Sequence, residues 1–371
     1  MKDFKKEEII SIAQRENNQK RGYLFVNHLQ AKHIPVSPSK ALSLFQALAE
    51  EIDQHEKMTI IGFAETATAI GSGVAANCPY DVYYIHTSRE NLPKENIVVE
   101  FKEEHSHATQ QMLFCKDEEK MLFQSQKILF VEDEITTGKT ILNFIKALKE
   151  KGIKAEFAAC SIANSMTQEH RKNFLENDIQ LYELFGIEQA DCEKVFSQSS
   201  IVLEKQTEQL PKSIEYQSIF GKIDPRVGSF AKEYQKACET LAKKIYDMFE
   251  KKVGNNILVL GTEECMYPAI VTGVYFEKKG KNVKTHSTTR SPIVARKEEN
   301  YPIFNKSIFE SVYEKGRKTY LYNLTKYDTV IIVTDAQNYN KVGVKGLLKA
   351  LKNYENDNII IIRWKKDENF L

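Results

Sequence analysis

Residues 127–140 read Lys-Ile-Leu-Phe-Val-Glu-Asp-Glu-Ile-Thr-Thr-Gly-Lys-Thr, and this stretch decides the fold. Ile128, Leu129, Phe130 and Val131 form a short continuous apolar run, the pattern of a strand covered on both faces. Glu132 and Asp133 stand where that strand is expected to end. Ile135, Thr136, Thr137, Gly138, Lys139 and Thr140 then lead into residues 141–148, whose apolar positions have helical spacing. A helix N-terminus presents unpaired N–H groups and the positive end of a dipole. Small Thr and Gly side chains let the backbone close around a phosphate there. The two carboxylates cannot face that phosphate. They suit hydroxyl groups, or a Mg2+ shared with the ligand. A phosphate on one side and vicinal hydroxyls on the other is the pattern of a ribose 5-phosphate.

Two other readings compete. Gly138-Lys139-Thr140 matches the end of a P-loop, but that motif needs a glycine five residues before Gly138, where Asp133 stands. A carboxylate at the loop entrance would also repel a triphosphate. Alternatively the threonines simply cap a helix in an ordinary strand-to-helix turn.

The whole chain sets bounds on these readings. Its 371 residues suffice for two domains. With 42% hydrophobic and 28% charged residues it has the composition of a soluble globular protein. A net charge of +1 argues against a dedicated nucleic-acid binder. Six scattered cysteines without a C-x-x-C pair read as reduced thiols of a cytoplasmic protein. No apolar run is long enough for a membrane span or a signal peptide.

Outward from the central stretch, strand, turn and helix recur. Residues 5–16 have helical character, 38–56 read as a helix, and 58–71 as strand, turn and helix start. The turn holds Ala64, Glu65, Thr66, Ala67 and Thr68. Its hydroxyls and N–H groups suit an anion; Glu65 suits one only through a metal, or serves as a helix N-cap. Residues 81–85 form a short strand before His86-Thr87-Ser88-Arg89, and 155–163 return as a strand. The first half thus reads β-α-β-α-β, which favours a doubly wound parallel sheet with ligand loops at strand C-terminal ends.

The run Val131–Thr140 resembles the PRPP-binding motif of type I phosphoribosyltransferases: an apolar strand, two acids, then TTG-x-T. The resemblance implies that Glu132 and Asp133 hold the ribose 2- and 3-hydroxyls and, with PRPP, a Mg2+ indirectly, while Thr136–Thr140 bind the 5-phosphate. It implies that the 64–68 loop takes pyrophosphate, although Glu65 departs from the usual glycine-rich or basic loop. It implies a mobile loop in the 86–108 region closing over the reacting centre. There Arg89 and Lys102 are candidates to clamp pyrophosphate, and Glu104, His105 and His107 to bind Mg2+ or deprotonate the acceptor. By the same analogy Lys32 and His33 face the acceptor from a small hood, and the protein is a homodimer.

The second half echoes the first. Ile61-Gly-Phe-Ala-Glu65 resembles Leu260-Gly-Thr-Glu-Glu264, His86-Thr-Ser-Arg89 resembles Ser287-Thr-Thr-Arg290, and Phe130-Val-Glu-Asp133 resembles Val333-Thr-Asp335. A similar α/β unit without a TTGKT loop is expected. Residues 206–211 read as a linker, giving expected domains 1–210 and 223–371. Thr288-Thr289-Arg290-Ser291-Pro292 resembles the signature of the TRSP domain, which accompanies a phosphoribosyltransferase family of bacterial tellurium-resistance and stress gene clusters. Glu263, Glu264, Thr288, Thr289, Arg290 and Ser291 make a candidate anion site there, because Arg grips phosphate or carboxylate bidentately.

The expected fold is therefore α/β, a phosphoribosyltransferase-type parallel sheet with flanking helices plus a second α/β domain. The expected activity is Mg2+-dependent transfer of a phosphoribosyl group from PRPP to a small base-like acceptor. The alternatives are the pyrophosphate-dependent reverse reaction and a non-catalytic PRPP- or nucleotide-binding regulator.

Overall fold

A computed structural model describes residues 4–16, 21–90, 97–101, 111–115, 121–188, 201–202 and 207–367. The chain forms two compact units, and they interleave along the sequence. The first comprises residues 1–2, 43–193 and 223–236; the second comprises 3–42, 194–222 and 237–371. This differs from the expected 1–210 and 223–371 division, because the N-terminal segment and residues 194–222 pack with the second unit.

In the first unit a six-stranded sheet runs in the order Ser229–Phe230, Tyr83–His86, Met58–Gly62, Lys127–Ile135, Glu156–Asn164, Ile179–Gly186. The last five strands are mutually parallel, and Ser229–Phe230 adds an antiparallel edge. Lys127–Ile135 sits in the middle, which explains its unbroken apolar start: Ile128 to Val131 are fully buried. Phe130 packs between Phe63, Phe144 and Phe157 in the core. The chain leaves Met58–Gly62 through helix Thr68–Ala76 towards one side of the sheet. It leaves Lys127–Ile135 through helix Lys139–Glu150 towards the other. The switch point therefore lies between these two strands, and a crevice outside their C-terminal ends is where such sheets bind ligands.

The second unit holds a five-stranded, all-parallel sheet in the order Ser213–Phe220, Asn358–Lys365, Thr329–Thr334, Asn256–Thr262, Asn282–Thr288. Helix Tyr267–Lys278 leads from Asn256–Thr262 to one side and helix Lys341–Lys352 from Thr329–Thr334 to the other, so this sheet has its own switch point. The echo in the sequence is an echo in the register. Gly62 lies opposite His86 and Val131; Gly261 lies opposite Ser287 and Val333. Val131 then lies opposite Cys160, and Val333 opposite Ile362. Each unit also inserts an antiparallel hairpin, Ile97–Phe101 with Gln111–Phe114 before Lys127–Ile135 in one and Lys306–Glu310 with Lys318–Tyr322 before Thr329–Thr334 in the other. Each hairpin is tied to its sheet by one two-bond bridge, Ser88 with Met112 and Thr289 with Tyr320.

Three expectations need correction. Residues 5–16 form one helical turn, Lys6–Ile9, and then the strand Ile10–Gln14 paired with Tyr23–Asn27. The β-branched Ile10 and Ile12 favour that pairing over a helix. The central strand continues through the acids to Ile135, since Glu132, Glu134 and Ile135 still pair with the neighbouring strand. Residues 213–220, which fall outside both expected domains, form the edge strand of the second sheet. No helix among the described residues is long and apolar enough to cross a membrane.

Candidate functional site

Two loops meet the switch point of the first sheet. The first follows Gly62. A side chain there would press on the Ala67 carbonyl at 3.0 Å, so glycine lets the turn fold back onto the strand end. Ala64 N–H donates to Thr87 Oγ1 at 2.8 Å and Ala67 N–H donates to the Phe63 carbonyl at 2.9 Å, which fixes the loop from both ends. The Ala64–Glu65 peptide is cis. Glu65 is buried, and Thr68 Oγ1 donates to its carbonyl at 3.1 Å. The helix N-cap is Ala67, without a side-chain cap, so the alternative role of Glu65 as N-cap does not hold. Thr66 is half-buried, Ala64, Ala67 and Thr68 are buried, and Tyr84 OH donates to the Thr68 carbonyl at 2.8 Å.

The second loop follows the acids. Glu132, Asp133 and Glu134 are half-buried in a strand whose other residues are closed to solvent. Behind them the Cys160 thiol is pushed far up, first by burial and then by the Glu132 charge. Ile135 is buried, whereas Thr136 and Thr137 are half-buried. Gly138 takes φ 70°, and helix Lys139–Glu150 starts one residue later, two residues earlier than the apolar spacing suggested. A side chain at 138 would lie 2.2 Å from the Phe174 ring, so both dihedral and space demand glycine. As the N-cap residue, Gly138 brings no capping side chain, and the first turn holds no acid. Apart from a long bond from Lys139 N–H to Thr137 Oγ1 at 3.4 Å, the start of this helix keeps its positive end for an incoming anion. Lys139 is exposed and Thr140 half-buried.

Other expected residues fall elsewhere. Arg89 is half-buried just past the Ser88–Met112 bridge, beside the first loop's Thr87 anchor. Lys102, Glu104, His105 and His107 lie outside the described residues. Lys32 and His33 belong to the second unit, where both are buried; His33 meets Tyr322 edge-on at 6.0 Å. Burial holds the His33 imidazole well below its ordinary range, with smaller contributions from Lys32 and His286.

The second-unit candidates do converge. Glu263 follows Gly261 and Thr262 as Ala64 follows Gly62 and Phe63, and its N–H donates to Thr288 Oγ1 at 3.0 Å, just as Ala64 N–H donates to Thr87. The Glu263 carboxylate is 1% exposed, and Arg290 Nε donates to it at 2.6 Å. Arg317 Nη2 reaches the same oxygen at 3.1 Å, and Arg290 Nη2 lies 3.6 Å from Glu264. Ser311 Oγ donates to the other oxygen of Glu263. Thr289 is buried, and its Oγ1 accepts from the Ser291 N–H at 3.2 Å. Sequence reasoning missed Arg317, Ser311, Tyr313 and Lys222, since nothing local marks them; only the fold brings them to these strand ends.

Acids and a helix start lie together at the switch point of this doubly wound sheet, an arrangement that suits phosphorylated, hydroxyl-bearing ligands. Comparison with known proteins narrows that class. Residues 9–183 match the family model described as phosphoribosyl transferase, and residues 225–351 match that of the TRSP domain found C-terminal to it. The chain belongs to this family of phosphoribosyltransferases with a C-terminal TRSP domain, enzymes of the pentosyltransferase class. Among solved structures, it is similar to adenine phosphoribosyl transferase from Trypanosoma brucei at 12% identity, covering 52% of this chain and 83% of that one, with a TM-score of 0.38. The adenine enzyme from Giardia lamblia gives 12% identity, 49% and 96% coverage, and a TM-score of 0.38. Orotate phosphoribosyltransferase from Aeropyrum pernix gives 13% identity, 49% and 90% coverage, and a TM-score of 0.32. No protein of curated function matches the sequence.

Proposed function

We propose that the chain transfers a 5-phosphoribosyl group from PRPP to a nitrogen of a small base-like acceptor, with Mg2+, in a nucleotide-like metabolite pathway. One observation carries this reading: at a single switch point, half-buried Glu132 and Asp133 adjoin an uncapped helix start whose Gly138 keeps the cradle open. The carboxylates take the ribose hydroxyls, and Thr136–Thr140 take the 5-phosphate. The 64–68 loop faces the pyrophosphate, which leaves as its bond to C1 breaks and the acceptor nitrogen bonds to C1. Arg89 and Lys102 are the candidates to clamp it, Lys102 lying outside the described residues.

The residues fit a metal that arrives with its substrate. Among the described residues no three His, Cys, Asp or Glu side chains form a metal set. Mg2+ is commonly held by one or two carboxylates plus substrate phosphates. Glu132 and Asp133 would supply that carboxylate share. The bound ion would neutralise charge building on pyrophosphate. Glu104, His105 and His107 complete the proposal as candidate bases for the acceptor proton. The chain mainly positions reactants and supplies fixed charge.

Losing one charge-assisted ribose contact costs about 1.5–3 kcal/mol. Asp133→Asn is therefore expected to lower kcat/KM for PRPP at least tenfold, measured as pyrophosphate release against a panel of bases. Near-normal kinetics would remove these acids from the site. PRPP binding with no pyrophosphate release for any acceptor would favour the regulator instead.

A further inference from the structure

We propose that the TRSP unit is a second copy of the phosphoribosyltransferase sheet whose ligand positions are occupied by its own side chains, with the Glu263 carboxylate standing where an external anion would bind. The assignment of positions rests on the reading of the first unit given above. The equivalence itself rests on the shared register, which pairs residue with residue: Ala64 with Glu263, Glu65 with Glu264, Thr87 with Thr288, Arg89 with Arg290, Asp133 with Asp335 and Gly138 with Asn340.

Each position in the second unit is closed. At the pyrophosphate-loop position, Arg290 and Arg317 converge on one oxygen of Glu263, at 2.6 and 3.1 Å. Ser311 donates to the other oxygen. Two guanidiniums and a hydroxyl around a buried carboxylate form an anion site already filled. Glu263 sits at φ 45°, in the left-handed region that non-glycine residues seldom adopt, and it is these contacts that hold it there. At the ribose position, Asp335 is tied to Lys222 at 2.7 Å, both side chains being at most 5% exposed. Tyr313 OH donates to Asp335 at 2.7 Å as well, across the strand end where a sugar would lie. The neighbouring acid of the first unit, Glu132, is replaced by Thr334. At the phosphate position the helix starts at Lys341, as its counterpart starts at Lys139. Here the N-cap is Asn340, whose Oδ1 accepts from Val342 N–H at 3.2 Å and whose Nδ2 donates to the Ser311 carbonyl at 2.9 Å. The open end that Gly138 leaves in the first unit is thus capped from within.

The inference predicts one PRPP site per chain and a latent pyrophosphate site. Calorimetric titration of the full chain with Mg2+–PRPP and, separately, with inorganic pyrophosphate tests both. No more than one site per chain is expected for either ligand, with unchanged affinity in Asp335→Asn and Tyr313→Phe. Glu263→Gln frees Arg290 and Arg317 and is expected to add a pyrophosphate site that binds at least tenfold more tightly than any second site of the parent. A second parent site that disappears in Asp335→Asn would overturn the inference. So would a folded Glu263→Gln chain with no added site. Should Glu263→Gln not fold, the parent site count with Tyr313→Phe decides alone. Absence of PRPP binding by the parent would sink the proposed function while agreeing with a closed second unit, so the two failures are distinct.

Discussion

Gly138 is the residue on which the first unit's proposed phosphate cradle turns. Its positive φ costs an L side chain about 1–2 kcal/mol, and crowding against Phe174 adds about 1–3 kcal/mol. Gly138→Ala is accordingly expected to lower the melting temperature and to raise KM for PRPP; a normal KM would detach this loop from the phosphate. His286 makes a second residue-scale prediction. Its Nε2–H donates to the Tyr322 carbonyl at 2.8 Å, and burial pulls its pKa down to about 4. His33 is shifted the same way. A histidine whose folded pKa is depressed binds fewer protons folded than unfolded, so stability falls as pH drops below the unfolded value near 6.5 towards 4. Melting curves across that window should show the loss, and His286→Gln should flatten it. An unchanged slope would mean that His286 is not buried neutral. Asp133 was legible from sequence because its acid partner, loop and helix are contiguous. The ring around His33 was not, because Tyr322 and His286 reach it only through tertiary packing.

At the scale of elements, the two helix starts make a natural pair of experiments. The Lys341–Lys352 helix is capped by Asn340, and Asn340→Ala should cost about 0.5–2 kcal/mol. Chemical denaturation measures it, and a loss near zero would mean the cap is replaced by solvent. The Lys139–Glu150 helix has no such cap, and its end is what PRPP is proposed to stabilise. The sequence showed this strand–loop–helix order well. It misjudged where the central strand stops, since ladder pairing with Glu156–Asn164 carries the acids to Ile135 despite their charge. It also misread residues 10–14, where pairing with a partner strand overrode helical periodicity. Local pattern records one face of an element, whereas pairing is decided by a segment elsewhere.

At the scale of the molecule, PRPP at about 100 times its dissociation constant should stabilise the chain by about 2.7 kcal/mol. The resulting thermal shift should fall to about half or less in Asp133→Asn and persist in Asp335→Asn. A shift abolished by Asp335→Asn alone would move the ligand to the other sheet. The repeat was partly legible, because three short peptides recur in order. Its closure was not, because Lys222, Tyr313 and Arg317 lie far in sequence from the acids they neutralise. The two sheets differ in one further respect. The outer strand Ile179–Gly186 follows the other parallel strands of its sheet in the chain, whereas Ser213–Phe220 precedes the rest of its own. A C-terminal fragment begun at residue 225, the start of the TRSP match, would leave one edge of Asn358–Lys365 bare along its full length. That strand reads Asn-Ile-Ile-Ile-Ile-Arg-Trp-Lys, and an uncovered apolar edge of this kind recruits other chains. Where the polypeptide is cut thus bears on how readily the piece precipitates: a fragment begun at 207 keeps the guard strand in place, although both fragments lose the segment 3–42 that packs with this unit.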